Sequence, residues 1–179
     1  MLKRVIVGII LVGLTAALGF SGLGYIKMNT PAGSASLMHV PVLIAVFLGG
    51  FPEGIISGLV YGAVSWWKFP ALGPIIHFPP RILMPIVAGL VFMIIRRLLK
   101  GKPVLGDCIG ALIGSAIGSL VNTWGVLALA IPFAQDFNVA KVMQIWNAHG
   151  LKEMFAAMLI VTPVVVIFGM ILRSLKIRQ

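Results

Sequence analysis

Acidic residues are almost missing from this chain. It has four Asp and Glu among 179 residues, and charged residues of both signs make up only 10%. A soluble domain carries about 25% charged side chains. With 60% of its residues apolar, this chain cannot coat a globule in water, and the alternative solvent is a bilayer. Cysteine is nearly absent too. Cys108 stands alone, which excludes an internal disulfide and leaves it as a small apolar filler. The shortage of carboxylates excludes whole function classes. No carboxylate pair, HExxH, Ser-His-Asp set or glycine-lysine phosphate loop can be assembled within the apolar stretches. Intramembrane ionisable groups normally mark proton relays and ion pathways, so an ion-coupled pump lacks its working parts. An intramembrane enzyme lacks a nucleophile or metal set facing one cavity, and no cofactor is expected. The 14 Lys and Arg flank apolar segments instead of forming a nucleic-acid patch.

Six apolar segments are present, at about 5–24, 37–50, 54–68, 80–97, 104–131 and 152–173. Roughly 20 residues cross a hydrocarbon core about 30 Å thick. The second and third segments are short and joined by the turn GGFPEG, so they need tilt, local thinning or burial among neighbours. The expectation is an all-α integral membrane protein, one domain over 1–179, with six helices in one bundle. Lys3 and Arg4, the run RRLLKGK (96–102), and Arg173, Lys176 and Arg178 then fall on one side. The excess of basic residues makes that side the cytoplasm, with both termini there. The start also reads as a signal peptide, with two basic residues, an apolar stretch and the small residues TAALG; its removal would leave five spans. The outer connections are the longer ones, at 27–36, 68–79 and 133–150. In the last, Val139, Val142, Met143 and Trp146 recur at helical spacing behind a capping Asn138, with Gly150 to end the run. That predicts a short surface helix, either an interfacial anchor or a lid.

Polar residues inside the apolar stretches are few enough to name. Asn122 and Thr123 sit mid-span, where an unpaired amide costs several kcal/mol. Asn122 must meet another helix, for roughly 0.6–2 kcal/mol, or a ligand. Thr123 can bond a carbonyl one turn back. Arg81, behind Pro79 and Pro80 at the first turn of the fourth segment, is either a snorkelling arginine or a fork for a carboxylate. His39 and His77 read as rim residues, with no second ligand at metal spacing. Trp66 and Trp67 fit an aromatic belt or a stacking wall. Asp107 and Glu53 fall at cytoplasmic ends, and Glu153 begins the sixth segment. If the fifth segment ends at Pro132, Asn122 lies about 15 Å below its outer end, while Arg81 sits near the rim. Gly13, Ala16 and Ala17 give the first segment a small-residue surface that allows close approach of another helix, inside this bundle or from a partner.

The stretches MHVPVLIAVFLGGFPEGIISGLVYGAVS (38–65), PPRILMPIVAGLVF (79–92) and GSAIGSLVNTWGVLALAI (114–131), in this order and spacing, resemble the substrate-binding S components of energy-coupling factor vitamin transporters. The pantothenate-type branch is the nearest likeness. That resemblance implies a prokaryotic cell-membrane protein, a six-helix bundle that captures a vitamin from outside and has no ATPase of its own. Its implied partners are a transmembrane coupling subunit and two ATP-binding cassette ATPases, docked on the small residues Gly13, Ala16 and Ala17. It also implies a first outer loop, with Asn29, closing over the ligand, and a pocket that brings in Arg81, Asn122, Thr123, His39, Trp67 and His77. Gly49-Gly50-Phe51-Pro52-Glu53 departs from the family's more usual Gly-Pro, and the loop 68–79 is shorter. Those departures leave riboflavin, folate, pyridoxine or cobalamin open as the vitamin, and an autonomous carrier remains the alternative class.

Overall fold

Glycine and proline set where the helices start and stop. The computed structural model describes residues 2–27, 34–135 and 137–174; Asn29, Lys176 and Arg178 lie outside the described residues. Helix α1, Leu2–Ser21, ends short of residue 24 because Gly22 takes φ 79° and Gly24 N–H turns back to the Leu18 carbonyl at 2.9 Å. The connection after α1, expected to be an outer loop, is not a plain loop. Strands β1, Tyr25–Lys27, and β2, Ser34–Ser36, pair antiparallel with Ile26 opposite Ala35.

Helix α2, His39–Ile44, widens into a π-helical turn, Ala45–Gly49. Gly50, at φ 131°, then reverses the chain into α3, Phe51–Lys68, with Pro52 in its first turn. His39 through Leu48 are all buried. Eleven helical residues reach about 16 Å, so this short segment is accommodated by burial among its neighbours. After a 3-10 turn, Pro70–Leu72, helix α4 spans Pro74–Leu98. It begins six residues ahead of the expected start, where Gly73 (φ 72°) and Pro74 open it. Pro79 and Pro80 therefore lie in its second turn, not its first. Helix α5 spans Pro103–Phe133. Helix α6, Val139–Ile145, is capped by Asn138, whose Oδ1 accepts the Lys141 N–H at 2.9 Å. Gly150 does not end this helix. It lies in a π-helical turn, Trp146–Gly150, that runs directly into α7, Leu151–Ser174. The Trp146 ring occupies the space a Cβ on Gly150 would need.

Pro74–Leu98, Pro103–Phe133 and Val139–Ser174 are long and apolar enough to cross a bilayer, and Ile6–Ser21 and His39–Gly49 are shorter apolar helices. The architecture is that of an all-α membrane protein. Helix α5 is its centre, packed against α4 and α7. Gly110, Gly114 and Gly118 recur every fourth residue along α5 and face Phe92, Phe47 and Leu43. Phe47 and Phe92 stack with centroids 4.6 Å apart. Helix α1 packs on α3 through Thr15 and Ser57, whose hydroxyls are 2.7 Å apart.

Two contacts hold the helices in the register the cavity needs. At Gly58, α3 passes so close to α4 that a Cβ would collide with the Arg81 carbonyl oxygen. At the opposite end, buried Asp107 on α5 receives Arg96 Nε of α4 at 2.8 Å and Arg173 Nη1 of α7. Gly58→Ala should destabilise by about 1–3 kcal/mol through overpacking against backbone; an unchanged unfolding temperature in detergent would contradict that close approach. Asp107→Ala leaves two cations facing each other. The loss of a buried partner costs about 3–5 kcal/mol, but the arginines are 33% and 22% exposed and can turn to water, so a loss of about 2 kcal/mol is expected. Denaturation in detergent checks this, and a wild-type transition in Asp107→Ala would refute the clamp.

Candidate functional site

A cavity of about 300 Å³ opens among the β-hairpin, α3, α4, α5 and the α6–α7 join. Its α4 wall is built from a missing hydrogen bond. Pro80 has no N–H, so the Ile76 carbonyl one turn earlier loses its helical partner. Arg81 Nη1 donates to that carbonyl at 2.8 Å. Nη2 donates to Ser65 Oγ at 3.1 Å, and the guanidinium lies over the Tyr61 ring at 4.9 Å. His77 completes the support. Its Nε2 is 3.1 Å from the Phe69 carbonyl, which can only accept, so Nε2 carries the proton. Nδ1 is therefore an acceptor, and Ser65 Oγ–H donates to it at 3.0 Å. The arrangement runs from Arg81 through Ser65 to His77 and leaves Arg81 Nε, in a residue only 5% exposed, without a partner.

The α5 wall carries Asn122 and Thr123. Asn122 is 4% exposed and its Oδ1 has no protein partner; it forms no interhelical clamp. Thr123 does not bond back to its own helix. Its Oγ1 donates across to Glu153 Oε2 on α7 at 3.0 Å. Glu153, 8% exposed, also accepts the Ser36 N–H at 2.7 Å through Oε1. Ser36 Oγ and Tyr61 Oη are 2.9 Å apart. The end of β2 is thus tied to α3 and α7 at once. Tyr25 of β1 lines the same space. Burial first, then the neighbouring Tyr61, pushes the Tyr25 hydroxyl well above its usual range, so it stays a neutral phenol. The segment 137–149 supplies Phe137, Ile145 and His149 to the wall, and Leu127, Val142 and Ile145 pack together beneath it.

Arg81, His77, Asn122 and Thr123 therefore converge on one cavity. The expected mismatch in depth between Arg81 and Asn122 disappears for two reasons. Helix α4 starts earlier, which places Arg81 about 10 Å along it. Helix α5 is 31 residues long, about 46 Å, more than the hydrocarbon thickness of about 30 Å, so distance from the helix end does not measure the depth of Asn122. His77 is buried inside α4, not in a loop. His39 is not on the rim either. It is fully buried, outside the cavity lining, in the electrostatic reach of Glu153. Trp67 is 65% exposed and packs edge-on against Phe20 outside the cavity. Trp66 meets Phe78 in the same outward manner. Along α1, the faces divide. Gly8, Leu11, Thr15 and Gly19 are buried, Ala16 is half-buried, and Gly13 and Ala17 are exposed, with open space where a Cβ on Gly13 would point. The Gly13-x-x-x-Ala17 surface is not used within this bundle.

Sequence reading missed Glu153, Ser65 and Tyr61. Ser57, Tyr61 and Ser65 form a polar stripe at i, i+4, i+8 on α3, a legible signal of one inward face. Glu153 gave no such signal. An acid at a helix start reads as a partner of the helix dipole, and only the continuity of α6 into α7 brings it inside. Among the described residues no group of three His, Cys, Asp or Glu gathers as a metal site.

No curated protein and no solved structure matches the chain. A family model does, over residues 3–176, that of the ECF transporter substrate-specific component. That match takes in every helix of the bundle and all the described residues of the cavity, and the chain belongs to the family of ECF transporter substrate-specific components.

Proposed function

We propose that this chain is the high-affinity capture subunit for a small water-soluble vitamin of the pantothenate type, in a six-crossing bundle with both termini in the cytoplasm of a prokaryotic cell. One observation carries the reading. Arg81 and Asn122, each at least nine-tenths buried, line one cavity, and Arg81 Nε and Asn122 Oδ1 have no protein partner. Such groups cost about 1–3 kcal/mol each when left unsatisfied. A ligand that pairs them recovers that penalty on binding. A carboxylate accepts from the free edge of the Arg81 guanidinium, whose other edge is held by Ile76 and Ser65. The ligand's polar chain meets Asn122, and Tyr25, Phe69 and Phe137 supply apolar wall. The paired strands β1 and β2 cover the ligand.

Size supports a small ligand. Ligand cavities run from roughly 300 to 1,000 Å³, and this one, at about 300 Å³, is too small for a cobalamin. The exposed Gly13 and Ala17 face of α1 is the docking surface for a transmembrane coupling subunit, and ATP hydrolysis belongs to two ATPases bound to that subunit. The segment 137–149 acts as a second lid beside the hairpin.

Calorimetric titration of the purified protein with pantothenate should show binding, and Arg81→Gln should weaken it roughly 10- to 150-fold, the value of a charged hydrogen bond. Silence across the water-soluble vitamins would remove the reading. Gly13→Leu should leave ligand affinity unchanged while co-purification with the coupling subunit is lost; retained co-purification would place the docking surface elsewhere.

A further inference from the structure

We infer that the ligand is bipolar, with an acid group at one end and a hydrogen-bond donor, hydroxyl or ammonium, at the other, and that Glu153 receives the donor end. The inference rests on the capture reading above and specifies the ligand within it. Arg81 on α4 and Glu153 on α7 line the same cavity, yet no ion pair joins them. Helix α5 stands between their helices, so a cation and an anion occupy separate walls. Each is held by neutral groups. Arg81 donates to a carbonyl and a hydroxyl, and Glu153 accepts from a backbone amide and a hydroxyl.

Neither is saturated. A carboxylate offers about four acceptor positions, of which Ser36 and Thr123 take two. Arg81 retains Nε. On the wall between them, Asn122 Oδ1 lacks a donor. The unmet needs of the cavity are thus an acceptor on the Arg81 side and donors on the Asn122 and Glu153 side. A simple monocarboxylate satisfies the first need only. An acid whose far end bears hydroxyls or an ammonium satisfies both and turns its positive dipole or charge toward Glu153.

Glu153→Gln separates this role from lid support. The glutamine carbonyl still accepts the Ser36 N–H, and its amide can donate to Thr123 Oγ1, while the charge and spare acceptor positions are lost. The probes are pantothenate, which has an acid and two hydroxyls; β-alanine, an acid with an ammonium; and propionate, the same acid with no donor. Binding is measured calorimetrically on the full chain in detergent. At least one donor-bearing acid should bind wild type tenfold or more tighter than propionate, by about one charged hydrogen bond, and Glu153→Gln should erase that margin. Loss of the β-alanine margin alone identifies an ammonium, and loss of the pantothenate margin alone identifies hydroxyls. Asn122→Ala should reduce the same margin, which keeps the test informative should Glu153→Gln unfold. An undiminished margin in both variants, or propionate binding as tightly as the others, overturns the inference while the Arg81 effect leaves the capture reading standing. No binding by any probe removes both.

Discussion

A guanidinium enclosed by apolar helices is tolerated only where acceptors surround it, because the penalty for taking an unpaired ion out of water is several kcal/mol. Here the first acceptor exists because of a residue that cannot donate. Pro80 leaves the Ile76 carbonyl unsatisfied, and Arg81 takes it. The proline that would weaken α4 thus fixes the arginine of the cavity. Ser65, itself bonded to His77, holds the second nitrogen, Tyr61 lies beneath the plane, and Gly58 lets α3 come close enough for both Tyr61 and Ser65 to reach. Remove the early start of α4 at Pro74 and none of these partners is in register. The cavity's chemistry is therefore a consequence of backbone accounting in a medium without water.

Glu153 answers on the other wall. Its two oxygens join α5 and the β-hairpin to α7, so the same carboxylate that faces the cavity also fastens its cover. Ser36 is the joint of that cover, reaching Glu153 by its amide and Tyr61 by its hydroxyl. The hairpin is consequently in register with both the α3–α4 wall that carries the cation and the α5–α7 wall that carries the anion.

Much of the fold was legible because bilayer physics writes it in long runs. The apolar segments, the Gly50 reversal and the Asn138 cap follow from length, glycine and side-chain chemistry. The site was legible in part. Arg81 and Asn122 stand out because each is conspicuous among apolar neighbours. Their meeting was hidden by helix ends, since Pro74 and Gly73 opened α4 earlier than the proline pair suggested. Trp67 misled because an aromatic next to an outer end satisfies belt and pocket equally, and only packing against Phe20 decides. Glu153 was hidden by a boundary of another kind. A glycine ordinarily ends a helix, but at Gly150 the Trp146 ring fills the freed space and a π-helical turn carries the chain onward, which moves an acid from a helix tip into a wall.

Among the described residues two buried carboxylates divide the labour between the ends of the bundle. Asp107 is held by two arginines from two helices, α4 and α7, and ties three helices together at the end remote from the cavity. Glu153 is held by neutral donors alone, and one of them belongs to a short hairpin, not a helix. Releasing the hairpin breaks bonds worth about 1.5–3 kcal/mol when an acceptor is charged, well within reach of thermal opening on the microsecond to millisecond scale. Opening the Asp107 end means parting ion pairs that join three helices, and α5 is packed along α4 and α7 as the hairpin is not. The contacts at the cavity end thus tie a short hairpin to the bundle, while those at the other end tie helix to helix.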